Sequence, residues 1–160
     1  LLPAMGRFGE LYQTEPERAL SLCEECGWLM ATEVLAVGID FSFAPVLDIN
    51  DISDVIGDRG FAKNPQDIIA LARAFLSGMQ RAGMASTGKH FPGHGSVKAD
   101  SHVAAAIDLR SLAEIEAHDM QTFVQLKDQL DALMPAHVIY PQVDPNPAGF
   151  SEFWLQRILR

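Results

Sequence analysis

The chain has 160 residues, 48% of them apolar, which is enough hydrophobic material for one sizeable core. Its formal net charge is −9 with a sequence pI near 4.8, and no basic run interrupts it, so nucleic acid and anionic membrane surfaces are poor partners. No apolar run reaches bilayer length and no signal-peptide pattern opens the chain, so composition alone leads us to expect a soluble, intracellular protein.

Leu1-Leu2-Pro3 reads as the tail of an earlier connection, and Trp154 to Arg160 as an uncapped helical pattern. Both ends therefore predict a single domain, 1–160, cut from a longer protein. A short helical turn is expected around Met5 to Tyr12. Thr14 and Glu17 predict a capping box with Pro16 in the first turn, opening a helix that runs to about Val37 and stops at Gly38. Cys23 and Cys26 sit mid-helix on its apolar stripe, so we read them as core thiols rather than a redox pair.

Ile39 to Ile49 is a near-continuous apolar run and predicts a strand buried on both faces, ending at Asp48. After a loop containing Gly57-Asp58-Arg59-Gly60, Asn64 predicts the cap of a second helix, with Pro65 at its first position and Gly83 beyond its end. Met84 to Phe91 predicts the second strand. Ser111 and Glu114 predict a capping box for a helix through about Lys127, and Leu130 to Tyr140 a third strand. Residues 141–147 read as a turn-rich loop, and Ser151 as the start of the last helix. Helices alternating with apolar strands predict an α/β fold with a parallel sheet. A complete β/α barrel needs roughly 250 residues, so this chain would supply about half of one. A doubly wound sheet is the alternative, although no glycine-rich phosphate turn follows any strand.

The polar residues of interest fall at or just beyond strand ends, where a β/α barrel places its active site. From Pro92 to Leu109 nothing reads as helix or strand, and a loop of that length rich in His, Lys and Asp points to function. In Asp100-Ser101-His102 the alternating side chains of an extended segment put carboxylate and imidazole on one side. His102 could then give and retake a proton, with Asp100 fixing its tautomer. Lys89 and His90 offer two donors at a strand end, and the planar fork of Arg59 suits hydroxyl or carbonyl recognition. Asp48 is a supporting acceptor for Lys89 or Arg59, or a turn cap. His94 is expected to hydrogen-bond the loop into shape, and His137 either to line the floor of the site or to serve the strand structurally. The spacing of His90, His94 and His102 does not match a helical zinc motif, so no metal and no cofactor are expected.

Gly88-Lys89-His90-Phe91-Pro92-Gly93-His94-Gly95 followed by Asp100-Ser101-His102 resembles the signature of family 3 glycoside hydrolases, in particular their β-N-acetylglucosaminidases. Residues 43–48, 57–59 and 134–140 resemble further segments of the same family, in the same order. The resemblance implies part of a (β/α)8 TIM-type barrel, lacking its first and last strands. It implies retaining removal of terminal N-acetylglucosamine from muropeptide-derived sugars in cytoplasmic peptidoglycan recycling. His102 and Asp100 would be the acid/base dyad, and Arg59, Lys89 and His90 would bind the sugar. The family's attacking Asp, in a Ser-Asp-Asp-type motif, has no counterpart here, nor has a further sugar-binding Asp; Asp108, Asp131 and Asp144 do not sit in that motif. The 160 residues alone would then be inactive, and the full-length protein a monomer acting on a small carbohydrate. Two other readings stay open: a metal-dependent hydrolase using the loop histidines, and a non-catalytic sugar-binding domain.

Overall fold

The computed structural model describes residues 2–98 and 106–160. Helix α1 (Gly6–Tyr12) leads into the long α2 (Pro16–Ala36) and, after a 3-10 turn at Gly57–Arg59, α3 (Pro65–Ala82). Strand β1 (Thr87–Phe91) follows, then β2 (Ala106–Ile107). Next come helices α4 (Leu112–Ala117) and α5 (Met120–Leu126), and strands β3 (Ala132–Pro135), β4 (Val138–Tyr140) and β5 (Asp144–Pro147). A single π-helical stretch, Phe153–Ile158, closes the chain.

Two small sheets carry the strands. β1 pairs in parallel with β3, while β4 pairs in parallel with β2 and antiparallel with β5. The parallel pairings agree with the α/β alternation. Several expectations fail in detail, among them the 141–147 loop, which contains β5. Residues 39–49 form no regular strand; they make isolated parallel bridges, Phe41 to Ala85 ahead of β1 and Val46 to Lys89 within it. Pro45 interrupts the ladder there because it has no N–H to donate, although its carbonyl accepts from Lys89 N–H at 3.2 Å. The expected third strand divides into β3 and β4 around Ala136–His137, and the presumed loop before Leu109 contains β2. The Ala44–Pro45, Lys89–His90 and Phe91–Pro92 peptide bonds are cis.

Of the helix caps the sequence predicts, one does not form. Asn64 Oδ1 accepts from the Asp67 N–H at 2.9 Å, and Gly83 ends α3 with φ +86°. The Ser111–Glu114 capping box forms as expected, but its helix breaks at His118–Asp119 into α4 and α5. At the start of α2 the cap is Glu15 with no side-chain bond, and the Thr14 hydroxyl donates to the Leu11 carbonyl instead.

The core sits between α3, the strands and α5, built on Ile68, Leu71, Phe75, Met79, Phe91, Phe123 and Trp154. The Phe91 ring meets Phe123 and Trp154 edge-on, at centroid distances of 5.6 and 6.2 Å. α2 lies so close to α3 that a Cβ at Gly27 would come within 2.2 Å of the Phe75 carbonyl oxygen. A Cβ at Gly78 would come within 2.0 Å of that of Glu24. Only glycine permits this approach.

Candidate active site

Asp48 is the anchor of the site. Its carboxylate is fully buried beyond the Val46 bridge and takes three donors: the His94 N–H at 2.7 Å, the His90 N–H at 3.1 Å and the His90 ring Nδ1 at 2.6 Å. A carboxylate held this way accepts only, so Nδ1 carries the proton it donates and Nε2 is left for a ligand. Asp48 thus supports His90 and caps the turn through the His94 N–H, the second of the two roles the sequence allowed, rather than bonding Lys89 or Arg59.

Lys89 precedes His90 on β1 and is half-buried. Burial, and then the nearby Arg59 guanidinium, lower its ammonium from the usual lysine range, against the opposing pull of Asp48. Arg59, at the end of the 3-10 turn, is exposed and folds back so that Nε and Nη2 donate to the Val55 carbonyl at 3.0 and 2.7 Å. Two cavities meet at Arg59. One, of about 120 Å³, is lined by Val55, Arg59, His90, His94, Met134, Pro135 and His137. The other, of about 330 Å³, is mostly apolar, with Lys89 and Arg59 beside Phe43 and Pro45.

His94 is buried, its ring edge-on to that of His90 at 6.0 Å, and its backbone N–H fixes the turn as expected. His137 is exposed and stacks on Phe150 at 6.0 Å, lining the smaller cavity from its rim. Asp100 and His102 lie outside the described residues. No group of three or more His, Cys, Asp or Glu side chains suited to a metal ion occurs among the described residues.

The sequence reading missed the ionic cluster behind this turn. Arg110 donates to Asp108 through Nε (3.0 Å) and Nη2 (2.6 Å), and to Asp119 through Nη1 (2.6 Å), both carboxylates being buried. Tyr140, also buried, donates its hydroxyl to the Gly93 carbonyl. Burial, and then Asp108, Asp119 and Asp48, push its phenol well above the usual range, so it stays a donor. The signal in the sequence was only a D-x-R triplet and a lone Tyr, neither of which announces burial.

With the geometry in view, comparison with known proteins is decisive. Residues 1–160 match the glycosyl hydrolase family 3 N terminal domain over their whole length. The chain belongs to glycosyl hydrolase family 3. A beta-hexosaminidase of Idiomarina loihiensis is 60% identical over 99% of the chain, and one from Pseudomonas aeruginosa is 59% identical over the same share. The solved structure of NagZ from Neisseria gonorrhoeae in complex with N-trifluoroacetyl-D-glucosamine covers 99% of the chain at 48% identity, with a TM-score of 0.95. The same protein is known in complex with a zinc ion, at 47% identity and the same TM-score. The family 3 chain described here spans about half the length of these relatives, 48% of the Idiomarina protein and of the sugar-bound Neisseria chain.

Proposed function

We propose that this chain is part of a retaining β-N-acetylglucosaminidase built on a (β/α)8 barrel, of which it supplies the proton-transfer group and part of the sugar site. The placement of His90, held by the buried Asp48 carboxylate, and of Lys89 in two cavities that meet at Arg59 carries the reading. Two cationic side chains and an imidazole held in one tautomer suit the oxygen-rich edge of a sugar. The glucosamine derivative bound by the Neisseria relative supports the same ligand class.

Retaining hydrolysis needs a nucleophile on one side of the anomeric carbon and an acid/base on the other. In this reading His102 protonates the departing oxygen and then activates water, while Asp100 holds the ring. Arg59, Lys89 and His90 grip the sugar hydroxyls, His90 through Nε2. The attacking carboxylate comes from the rest of the longer protein, consistent with relatives about twice this length. We assign it to muropeptide-derived sugars in cytoplasmic peptidoglycan recycling, acting as a monomer, on the family resemblance alone.

The test is hydrolysis of an aryl β-N-acetylglucosaminide by the full-length protein. His102→Ala is expected to lower turnover by about 10²–10⁴-fold, the usual contribution of general acid–base catalysis. Near-normal turnover of that variant across a range of pH would overturn the dyad. The zinc complex of a relative keeps a metal-dependent reading in play. Chelation should leave the glycosidase rate unchanged, and a loss of activity restored by added zinc would favour the metal.

A further inference from the structure

The Gly93–His94 turn joins the sugar-binding end of β1 to the cluster at the α4–α5 junction. Gly93 has φ +152°, and a Cβ there would lie 2.6 Å from both Cβ and Oδ1 of Asp119, so the Asp119 side chain packs directly against the turn. Asp119 is itself held by Arg110, whose Nη1 donates at 2.6 Å while its other nitrogens are bound to Asp108. From above, the Tyr140 hydroxyl donates to the Gly93 carbonyl. The next N–H, that of His94, lands on Asp48 Oδ1, and Asp48 Oδ2 holds the His90 ring. A second path runs beside the first. The buried Thr122 hydroxyl lies 3.0 Å from the carbonyl oxygen of Leu47, the residue before Asp48, and 3.1 Å from that of Asp119.

We infer that Arg110, Asp119 and Tyr140 are positioning residues for the sugar site, setting the place of His90 through the Gly93–His94 turn and Asp48. They touch no substrate. The cluster costs desolvation of two carboxylates and a guanidinium, and a purely structural need at this place would be met more cheaply by apolar side chains. What it supplies is a fixed wall, since the Arg110 fork, braced on Asp108, holds Asp119 against Gly93. The effect on catalysis rests on the glycosidase reading; the effect on His90 does not.

The experiment uses the full-length protein with ring-labelled histidine, followed by proton–nitrogen NMR beside kinetics on the aryl β-N-acetylglucosaminide. The His90 Nδ1 proton, assigned by its loss in His90→Gln, is expected well downfield because it is shared with Asp48. Arg110→Lys, Asp119→Asn and the mild Tyr140→Phe should each move that signal or lose it to exchange. KM is expected to rise on the order of tenfold, as for displacement of a binding group by a fraction of an ångström, with kcat much less affected. Asp131→Asn is the structural control. It loosens the other end of β1, where Asp131 Oδ2 accepts from the Ser86 N–H at 2.8 Å, and should lower the melting temperature without touching the His90 proton. An unmoved His90 signal in Tyr140→Phe and in every folded variant of the other two overturns the inference, as does an equal shift in Asp131→Asn. Hydrolysis with an unresponsive proton sinks the positioning role alone. A responsive proton in a protein that does not hydrolyse the substrate sinks the glycosidase reading alone.

Discussion

The α2–α3 pair and the Asp48 turn hold their parts together by opposite means. Between the helices nothing charged is buried. Gly27 and Gly78 let backbone touch backbone, and the Cys23 thiol donates to the Leu71 carbonyl at 3.3 Å. Burial raises the pKa of that thiol, which keeps it protonated and unreactive. At the turn, polar and charged groups are buried instead: the His94 N–H is bonded to Asp48, and behind it Arg110 joins Asp108 to Asp119. Neither place tolerates an added atom, since a Cβ at Gly95 in the turn would come within 1.8 Å of the Ile49 carbonyl oxygen, but only the turn also depends on buried charge. The difference separates scaffold from site.

Four substitutions probe that contrast, in order of expected effect on stability. Gly78→Val should be worst, at about 4 kcal/mol in chemical denaturation, because the new side chain meets backbone that cannot yield. If its activity per folded molecule also fell, the helices would be more than scaffold. Asp48→Ala strands three N–H donors, two of them main-chain, and should cost about 3 kcal/mol. Unlike the glycine variant, it should also abolish sugar binding by calorimetry in protein that remains folded. Ser111→Ala removes one capping hydroxyl and should cost about 1 kcal/mol, with the hydrolysis rate unchanged.

Lys89→Met should run the other way. The Lys89 pKa is lowered in the folded protein, so its charged form opposes folding. That penalty is fully present below the folded-state pKa and fades as pH rises from there towards the ordinary lysine value. Removing the ammonium should therefore raise the melting temperature at neutral pH, by about 2 °C, and erase part of the wild type's gain in stability on the alkaline side. Sugar affinity should fall in the same variant. A melting temperature that dropped instead would show that the ammonium is held by favourable contacts, and would align Lys89 with the scaffold.

Much of this was legible in the chain where the physics is local. Asn64, Gly83 and the Ser111–Glu114 pair act within one helical turn of themselves, and each behaves as its residue type predicts. The convergence of Arg59, His90, His94 and His137 followed from their positions near strand ends. What escaped depends on partners distant in sequence. The Phe41–Val46 segment is as apolar as a buried strand, yet it makes only isolated bridges, to Ala85 and to Lys89. The break at His118–Asp119 follows from no local breaker; Asp119 is drawn inward to Arg110. Mid-helix glycines were the overlooked clue. Gly27 and Gly78 lower helix propensity, and a packing reason could have been sought for both.

The triple occupancy of Asp48 has a consequence for anyone designing a small-molecule competitor. The acceptor beneath His90 is already engaged by three of the protein's own donors, so a compound reaching past the imidazole towards it would have to displace hydrogen bonds without forming better ones. Potency has to come from the rim, where Arg59 and Lys89 still have unspent hydrogen-bonding capacity and an apolar hollow opens beside Phe43.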